Sequence, residues 1–531
     1  MTPRFIYFAL AITLMAWGSC TEAPKPITTA VVDSTTPPYT IQLQEFVNPN
    51  LPGLHSYIHA VWKDKIIMIG GRINGMHPDY NFDQTYANTN IYVIDTKNWS
   101  DPATWATFSM PHKNILGVNR TQFRSNNAQY FQNGNTLYIV GGLEYANVPT
   151  QLKSHTGPIL LELVSAKKTQ DGTAPHGPIT QALMTAINMD VLVDAVMNNK
   201  TVSPPNVRQA QDSMLAITGG ELETIGNTVY LVFGWNFSLA GEAYSHQIRS
   251  FNYTDDGTTL SLGPITVCPT CFDGVTDPKS NAGNFRRRDG SMSVFTDPSD
   301  GSPALMYYSG VFKNGNTNFN TGVFIHPDRA AELPDSMFWN VYTCQVVPVH
   351  SASRKTSYAS LLGGMTYNWF TGAPITKPTL LTPANTKVIP ANSNFGNNIP
   401  ITNRFTTVVM PANGRLLQYL LPDSFPPIKT PLVLPAVGDS IPAATLPVGS
   451  VTYNGAESEM HWTIADNLTQ NGVINYDAFI TANPNGGTVA YLHGGIEADQ
   501  PNVFSFSNAG LPLHHSVASK RLFAVKIVPI K

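Results

Sequence analysis

The chain has 531 residues, more than one ordinary domain needs, and only 13% of them are charged, against about 25% in average soluble proteins. The net charge of −3 supplies no basic field for nucleic acid, and no stretch after the N-terminal segment approaches the ~20 apolar residues of a membrane span. Glycine and proline, at 40 and 41 residues, are typical of an all-β protein with many turns.

Residues 1–20 have the organisation of a secretory signal. Arg4 precedes an apolar stretch over 5–17, and two small residues then lead to Cys20. This ending resembles the lipobox of bacterial lipoproteins, with Trp17 in the place usually taken by Leu. The resemblance implies that Cys20 becomes the lipidated N-terminal residue of the mature protein. The alternative is a plain secretory signal with an incidental cysteine.

Residues 21–38 are rich in Thr and Pro and lack hydrophobic periodicity, which predicts a flexible tether. The folded domain is then expected over 39–531. Its first segment, 39–46, alternates between apolar and polar residues and reads as a strand, and so does 521–528 near the other end. We expect these two strands to close a ring.

A short apolar run that ends in a pair of glycines, or in a worn version of that pair, recurs along the chain. The copies end at Gly71, Gly142, Gly234, Gly310, Gly364 and Gly495. Such a run indicates a buried strand, and the glycines allow positive φ where neighbouring strands crowd together. Most copies follow a polar turn, such as Asn133-Gly134-Asn135, and another short strand, which predicts a repeated hairpin.

After the first copy, the run 91–95 leads to Trp99 and Trp105. This order of apolar run, double glycine, Tyr and Trp resembles the kelch-type β-propeller from about Tyr39 to the end of the chain. The resemblance implies an all-β ring of four-stranded blades. The glycine pairs indicate six blades, and the wide gap over 364–494 leaves room for a seventh. The copies lie farther apart than the ~50-residue kelch period, so we expect long loops.

Residues 179–199 interrupt the pattern, because Leu183, Ile187, Leu192 and Val196 recur at helical spacing. This predicts one inserted amphipathic helix. It would either cover one face as a lid or docking element or pack on the blade edges. The second alternative is favoured, because an apolar stripe usually faces a core.

The cysteines of the mature chain indicate no cofactor and no metal site. Cys268 and Cys271 have Cys-x-x-Cys spacing, but Phe272 follows where haem attachment needs His, and no second pair completes a zinc site. In an oxidising compartment a local disulfide is favoured over free thiols or a metal. Cys344 is then expected to be a buried small hydrophobe.

Basic and imidazole side chains recur near the beginnings of the predicted blade strands. They are His55, His59, Arg72, Arg124, Arg288, Arg354 and Arg404. Equivalent positions of a ring converge on its central channel, so these side chains predict a funnel that binds a carboxylate, a sulfate or an acidic sugar. Alternatively, the arginines bond to carbonyls of adjacent blades and hold the ring together.

Two enzyme families with kelch-type propellers bear on this channel. Galactose oxidase and its relatives need a copper site of two tyrosines and two histidines, one tyrosine cross-linked to cysteine, and no local run matches it. Sialic-acid mutarotases use Arg and acidic groups around the channel, and the resemblance implies Arg72 and Glu144 for those parts. The segments 342–364 and 405–422 are similar to kelch-type lipoproteins of Bacteroidetes-like bacteria.

Together these patterns predict a monomer anchored by lipid to the outer membrane, facing the periplasm or the cell surface. The expected function is recognition of a glycan or protein partner without catalysis. The alternative is a carbohydrate-active propeller enzyme that uses an Arg-lined channel.

Overall fold

The computed structural model describes residues 35–76, 84–145, 179–238, 241–313, 317–334, 337–388, 401–436, 441–501 and 515–530. The predicted signal, Cys20 and most of the predicted tether lie outside these ranges. The described ranges contain two α-helices, Met189–Asn198 (α1) and Tyr476–Ala482 (α2), and are otherwise built from strands and short turns. Neither helix has the length and hydropathy that crossing a membrane requires.

Four antiparallel sheets of four strands follow one another along the chain, and each keeps its strands in chain order. Sheet 1 consists of Ile58–Trp62, Lys65–Ile69, Asn90–Asp95 and Ala106–Pro111, and sheet 2 of Gln129–Asn133, Thr136–Val140, Leu183–Asn188 and Val207–Gln211. Sheet 3 consists of Glu221–Ile225, Thr228–Val232, Gln247–Phe251 and Thr266–Phe272, and sheet 4 of Ser291–Thr296, Pro303–Tyr308, Gly322–His326 and Arg329–Leu333.

Two larger sheets complete the ring. Sheet 5 has the order Thr379–Leu380, Leu417–Ser424, Arg404–Pro411, Thr356–Leu362, Gln345–Ser351, Val473–Asn475 and Thr469–Gln470. Sheet 6 has the order Tyr39–Phe46, Leu522–Pro529, Gly487–Ala498 and Tyr453–Trp462, with Ser516–Ala518 beside Gly487–Ala498. The first strand of the domain pairs with the last, from Tyr39 opposite Pro529 to Phe46 opposite Leu522. The predicted closure of the ring by the two ends is therefore confirmed.

Six small two-stranded sheets extend from the loops of the described chain. They pair Leu143–Glu144 with Ile179–Thr180, Trp235–Ser238 with Gly241–Tyr244, Tyr253–Asp255 with Leu260–Leu262, Val311–Lys313 with Thr317–Asn318, Asn368–Phe370 with Thr386–Val388, and Leu432–Leu434 with Ala444–Leu446. Because so much chain lies in these hairpins, successive glycine pairs are far apart in the sequence.

The large sheets form a β-propeller. The earliest strand of each of sheets 1 to 5, and Tyr453–Trp462 of sheet 6, line one common cavity at the centre. The gap over 364–494 left room for a seventh blade in the sequence. Its described residues instead supply the outer strands of sheet 5 and the inner strand of sheet 6.

The recurring glycine pairs, including the worn copies, follow the second strand of sheets 1 to 5, and in sheet 6 the pair lies within Gly487–Ala498. Both members of every pair have positive φ, and the worn copies are no exception, since Phe233 and Ser309 have φ of 57° and 55°. At Gly141 a side chain is excluded by a close contact as well as by the backbone conformation. A Cβ at this position would lie 2.1 Å from the carbonyl oxygen of Ile217, in the segment that precedes sheet 3. The pattern therefore marks the closest packing between neighbouring sheets.

The predicted helix over 179–199 is correct only in its second half. Leu183–Asn188 is the third strand of sheet 2, and α1 begins at Met189. The strand is buried on both faces over Leu183–Ile187, so apolar residues occupy consecutive positions and fit helical spacing as well as strand spacing. Asn188 ends the strand and caps the helix, since its side chain accepts a hydrogen bond of 3.1 Å from Val191 N.

The apolar face of α1 packs on the ring. Leu192 and Val196 are buried in a core cluster with Ile91 and Met110 of sheet 1. This agrees with the favoured alternative, in which the apolar stripe of the helix packs on the blade edges. A helix held in this way stabilises the junction of sheets 1 and 2 through buried apolar surface.

Cys268 and Cys271 are joined by a disulfide within the last strand of sheet 3, with their Cα atoms 4.8 Å apart. Cys344 is a buried free cysteine. Its Sγ lies 3.2 Å from Ser291 Oγ. Burial raises the pKa of the Cys344 thiol to about 12, so the thiol stays protonated at neutral pH.

Candidate functional site

A cavity of about 590 Å³ lies at the centre of the propeller, and we call it the central cavity. Inner-strand residues from all six large sheets form its wall, among them His59, Tyr130, Glu221, Met292, Gln345 and Glu459. Its volume lies within the ~300–1,000 Å³ range of small-molecule sites. Trp462, at 36%, is the most exposed large aromatic side chain of the wall within the described chain.

The wall of the central cavity is acidic. Five carboxyl side chains contribute to it, those of Glu221, Glu223, Asp289, Glu457 and Glu459, and the described residues that line it include neither Lys nor Arg. The predicted arginine-lined channel is therefore wrong for this cavity. Of the predicted basic and imidazole residues, only His59 lines it.

A second cavity, of about 180 Å³, lies next to the central cavity, and we call it the small cavity. His55, Arg72 and Arg288 line it. These are the predicted residues that the ring does bring together. Each lies in a short backbone bridge near the end of a strand, His55 with Arg72 and Arg288 with Val311.

The other predicted residues line neither cavity. Arg124 and Glu144 bind each other, with Nη2 of Arg124 3.1 Å from Oε1 of a fully buried Glu144. Gln181 donates a further hydrogen bond of 2.8 Å to Glu144 Oε2. This pair joins segments before and after the first two strands of sheet 2. Its acceptor is a carboxylate of the same sheet, not a carbonyl of an adjacent blade as the alternative role of the arginines expected.

Arg354 and Arg404 also lie away from both cavities. Arg354 occupies the turn after the inner strand of sheet 5, and Arg404 begins the third strand of the same sheet with its side chain exposed. Their positions near the beginnings of predicted blade strands suggested convergence. The turn that contains Arg354 lies at the end of the inner strand away from the central cavity. The third strand, which begins at Arg404, lies farther from the axis than the inner strand. Neither side chain therefore reaches the axis.

A closed ring of backbone hydrogen bonds separates the two cavities. It consists of the residue two positions before the inner strand of each of sheets 1 to 5 and of one residue within the inner strand of sheet 6. These residues are Ser56, Asn127, Gly219, Asp289, Thr343 and Glu457, and we call them the collar. Each N–H donates to the carbonyl of the previous member, and Ser56 donates to Glu457, at distances from 2.6 to 3.3 Å. Ser56, Asn127, Asp289 and Glu457 line both cavities.

All six collar residues have left-handed backbone conformations, with φ between 47° and 59°. Only Gly219 adopts this region without a steric cost, and for the β-branched Thr343 it is a true outlier. Such strain persists only where the surroundings enforce it, and it concentrates at functional sites. The collar therefore holds Asp289 and Glu457 in fixed positions at the axis.

Glu459 is the best-connected carboxyl of the wall. Tyr130 donates a hydrogen bond of 2.8 Å to its Oε2, and Gln345 Nε2 lies 3.4 Å from the same atom. His59 Nε2 is 3.6 Å from it. Burial, and then the charge of Glu457, raise the pKa of Glu459 well above its ordinary value. Burial lowers the pKa of His59 to about 3, so its imidazole is neutral.

The remaining carboxyls of the wall are shifted in the same direction. Burial raises the pKa of Glu223 to about 7. Burial and then the charge of Asp289 raise the pKa of Glu457 to about 7, against the lowering effect of the Ser56 hydrogen bond and of Arg72. Burial and the neighbouring carboxylates raise the pKa of Glu221 well above its ordinary value. The carboxyl groups of the wall therefore retain protons near neutral pH.

Tyrosine and histidine side chains meet between sheets 1 and 6. The Tyr57 hydroxyl lies 2.9 Å from His493 Nδ1 and 3.3 Å from His461 Nε2. Burial lowers the pKa of His493 to about 4 and that of His461 well below its ordinary value. Within the described ranges no group of three His, Cys, Asp or Glu side chains is placed to hold a metal ion. The cluster is a neutral hydrogen-bonded junction of the two sheets.

A sequence signal for the acidic wall does exist. Glu221 and Glu223 are two residues apart, as are Glu457 and Glu459, and residues so spaced share one face of a strand. Both pairs lie on strands that precede a glycine-pair strand. The acidic pairs on the inner strands, rather than the basic residues near strand starts, therefore predict the charge of the central cavity.

Comparison with known proteins adds no relative to this description. No protein-family model matches the chain, and no curated protein matches it.

Proposed function

We propose that this protein is a cell-envelope binding protein that takes up a protonated amino group of a glycan or protein partner in its central cavity. One observation carries the proposal: five carboxyl side chains and no Lys or Arg among the described residues that line the cavity. Crowded carboxylates raise one another's pKa, and a cation among them offsets that repulsion. An anionic ligand, which the sequence had favoured, would add to it.

The rest of the wall suits such a ligand. Gln129 and Gln345 supply amide groups that both donate and accept hydrogen bonds. Tyr130 and Trp462 supply aromatic rings, whose faces attract an ammonium group within about 6 Å. A closed ring that fixes these groups through the collar limits the entropy lost on binding.

Catalysis is the second candidate, and one group of residues favours it. Glu459 with a raised pKa, neutral His59 and Tyr130 are an acid and a base within reach of each other on the cavity wall. General acid and base groups of this kind would serve a carbohydrate-active enzyme. Turnover of a free sugar that Glu459→Gln abolishes, with the fold intact, would establish this alternative.

The proposed placement in the cell follows from the N-terminal sequence. Lipid on Cys20 would anchor the chain to the outer membrane, and 21–38 would tether the propeller to it. We also propose six kelch-type blades, one for each large sheet. The collar supports this number, because each of the six sheets contributes one of its residues.

An array of glycans and peptides tests the proposed ligand class. The wild type should bind members with free amines or lysine side chains and should not bind their N-acetylated counterparts. Glu221→Gln with Glu223→Gln should weaken binding by about tenfold or more, since charge-assisted bonds are lost. Asp328→Asn is the matched control, because Asp328 lines neither cavity and is exposed. Equal binding of amines and N-acetylated counterparts would reject the proposal.

A further inference from the structure

We propose that the small cavity is a second binding site, for a small carboxylate, and that Arg288 is the residue that binds it. The site differs from the central cavity in place, size and chemistry, so it does not depend on the function proposed above. The two cavities differ in the charged residues that line them. Arg72 and Arg288 both contribute to the small cavity, whereas no Lys or Arg in the described chain lines the central one.

Aromatic rings hold the guanidinium of Arg288. Its Cζ lies 4.0 Å from the ring centre of Trp235 and 4.4 Å from that of Phe312. Trp235 and Phe312 line the same cavity. A guanidinium that stacks on rings keeps a fixed plane, and its N–H groups then point along that plane.

The hydrogen-bonding capacity of Arg288 is not used within the described chain. Its Nε and Nη1 atoms are buried and have no hydrogen-bond partner there. Nε does lie 3.3 Å from Asp289 Oδ2, which is an ion-pair contact on one side of the group. Buried donors without an acceptor cost free energy, so a ligand oxygen near Nη1 would be stabilising.

The charges around the small cavity can accommodate an anion. Two arginines, Arg72 and Arg288, face two acidic residues, Asp289 and Glu457. The pKa of Glu457 is raised to about 7, so this carboxyl is partly protonated at neutral pH. The cavity then carries a positive balance, which a ligand carboxylate would neutralise.

Size and shape define the ligand class. The volume of about 180 Å³ lies below the ~300–1,000 Å³ range of drug-sized ligand sites. This admits a carboxylate of a few carbon atoms and excludes an oligosaccharide. The planar guanidinium edge favours a planar carboxylate, which accepts two parallel hydrogen bonds, over a single-point anion. The apolar side chains of Val311, Met365 and Ile496 suit a short carbon chain.

Calorimetric titration of the purified full-length protein tests the site. Acetate, lactate and succinate are the probes, and acetamide is the neutral counterpart of acetate. We expect the carboxylates to bind with a Kd on the order of 1 mM and acetamide not to bind. Arg288→Lys keeps the charge but loses the planar fork, and it should weaken acetate binding by about tenfold or more. Arg120→Gln is the control, since Arg120 lies on the surface and lines neither cavity.

The variants also separate this proposal from the previous one. Glu221→Gln and Glu223→Gln alter only the central cavity, so they should leave acetate binding unchanged. Thermal denaturation verifies that Arg288→Lys is folded, and if it is not, Met365→Phe, which would fill the cavity, takes its place. No heat from acetate at about 50 mM would overturn the proposal, because a site of that affinity would be almost full. Equal binding by a folded Arg288→Lys would also overturn it.

Discussion

Tyr130 donates a hydrogen bond of 2.8 Å to Glu459, although 329 residues separate them in the chain. Tyr130 lies on the inner strand of sheet 2 and Glu459 on the inner strand of sheet 6, with sheet 1 between them. The bond exists because inner strands of the ring converge on one axis. A site assembled in this way consists of single residues from distant segments, and no linear motif describes it.

The acidic cavity should make the unliganded protein less stable as pH rises. Glu223 and Glu457 have pKa values raised from the ordinary 4.5 to about 7 in the folded state. Between those values the folded protein binds more protons than the unfolded chain, so stability is greatest below the ordinary pKa and is lost as pH rises through 7. Buried His59, His461 and His493 have lowered pKa values and give the opposite trend below about pH 6.5, so the test is the difference between two proteins. From pH 5 to pH 8 we expect the melting temperature of Glu223→Gln to rise relative to that of the wild type. A difference that does not change over this range would contradict the assigned shift of Glu223.

Binding of an amine in the central cavity should release protons. The cation favours the ionised form of Glu223 and Glu457, which are partly protonated when the cavity is empty. Affinity should therefore increase from pH 6 to pH 8, as long as the amine itself stays protonated. Titration calorimetry in two buffers of different ionisation enthalpy measures the proton release directly. Identical heats in the two buffers would show that these carboxyls do not take part.

Gly219 is the one glycine among the six collar residues, and it should be sensitive to substitution. It has φ of 59°, and a Cβ there would lie 2.3 Å from Asp289 Oδ1. Gly226 has the same φ but nothing within 4 Å of its Cβ position, so it is a matched control. Gly226→Ala should cost about 1 kcal/mol of unfolding free energy for the left-handed backbone alone. Gly219→Ala should cost clearly more in urea denaturation, because the contact adds to the backbone term.

Equal costs for the two glycine variants would mean that the collar yields to an added methyl group. Asp289 would then not be held in place by the ring.

The lipid anchor is a prediction that the described residues do not test. Cys20→Ser should move the protein from the membrane fraction to the soluble periplasmic or secreted fraction, because lipid on Cys20 would be its attachment. Ser19→Ala is the control, because it leaves Cys20 in place. Persistence of Cys20→Ser in the membrane fraction would contradict the lipoprotein assignment.

The propeller itself follows from local sequence. The glycine pairs mark real left-handed turns in all six copies, including Phe233-Gly234 and Ser309-Gly310, because the second strand of each sheet must turn sharply against its neighbour. The two strands that close the ring are also visible in the sequence, since 39–46 and 521–528 each alternate between apolar and polar residues. The glycine turns and the individual strands depend on residues close together in the chain, which sequence patterns describe well.

The site was harder to predict for a physical reason. Basic residues near strand starts were expected on the axis, but Arg354 lies in a turn and Arg404 on a third strand. The distance of a side chain from the axis depends on the order of the strands in the sheet, which a position near a strand start does not reveal. The acidic pair Glu221 and Glu223 lay on a predicted inner strand, and its period of two was the overlooked signal.

The most important prediction is that the central cavity binds a cation. A crystal structure of the protein with an amine-bearing ligand selected on the array tests this directly. We predict the ammonium nitrogen inside the central cavity, within hydrogen-bond distance of at least two of the five carboxyls, Glu221, Glu223, Asp289, Glu457 and Glu459. A ligand bound outside the ring, or one that places an anionic group among these carboxyls, would contradict the account.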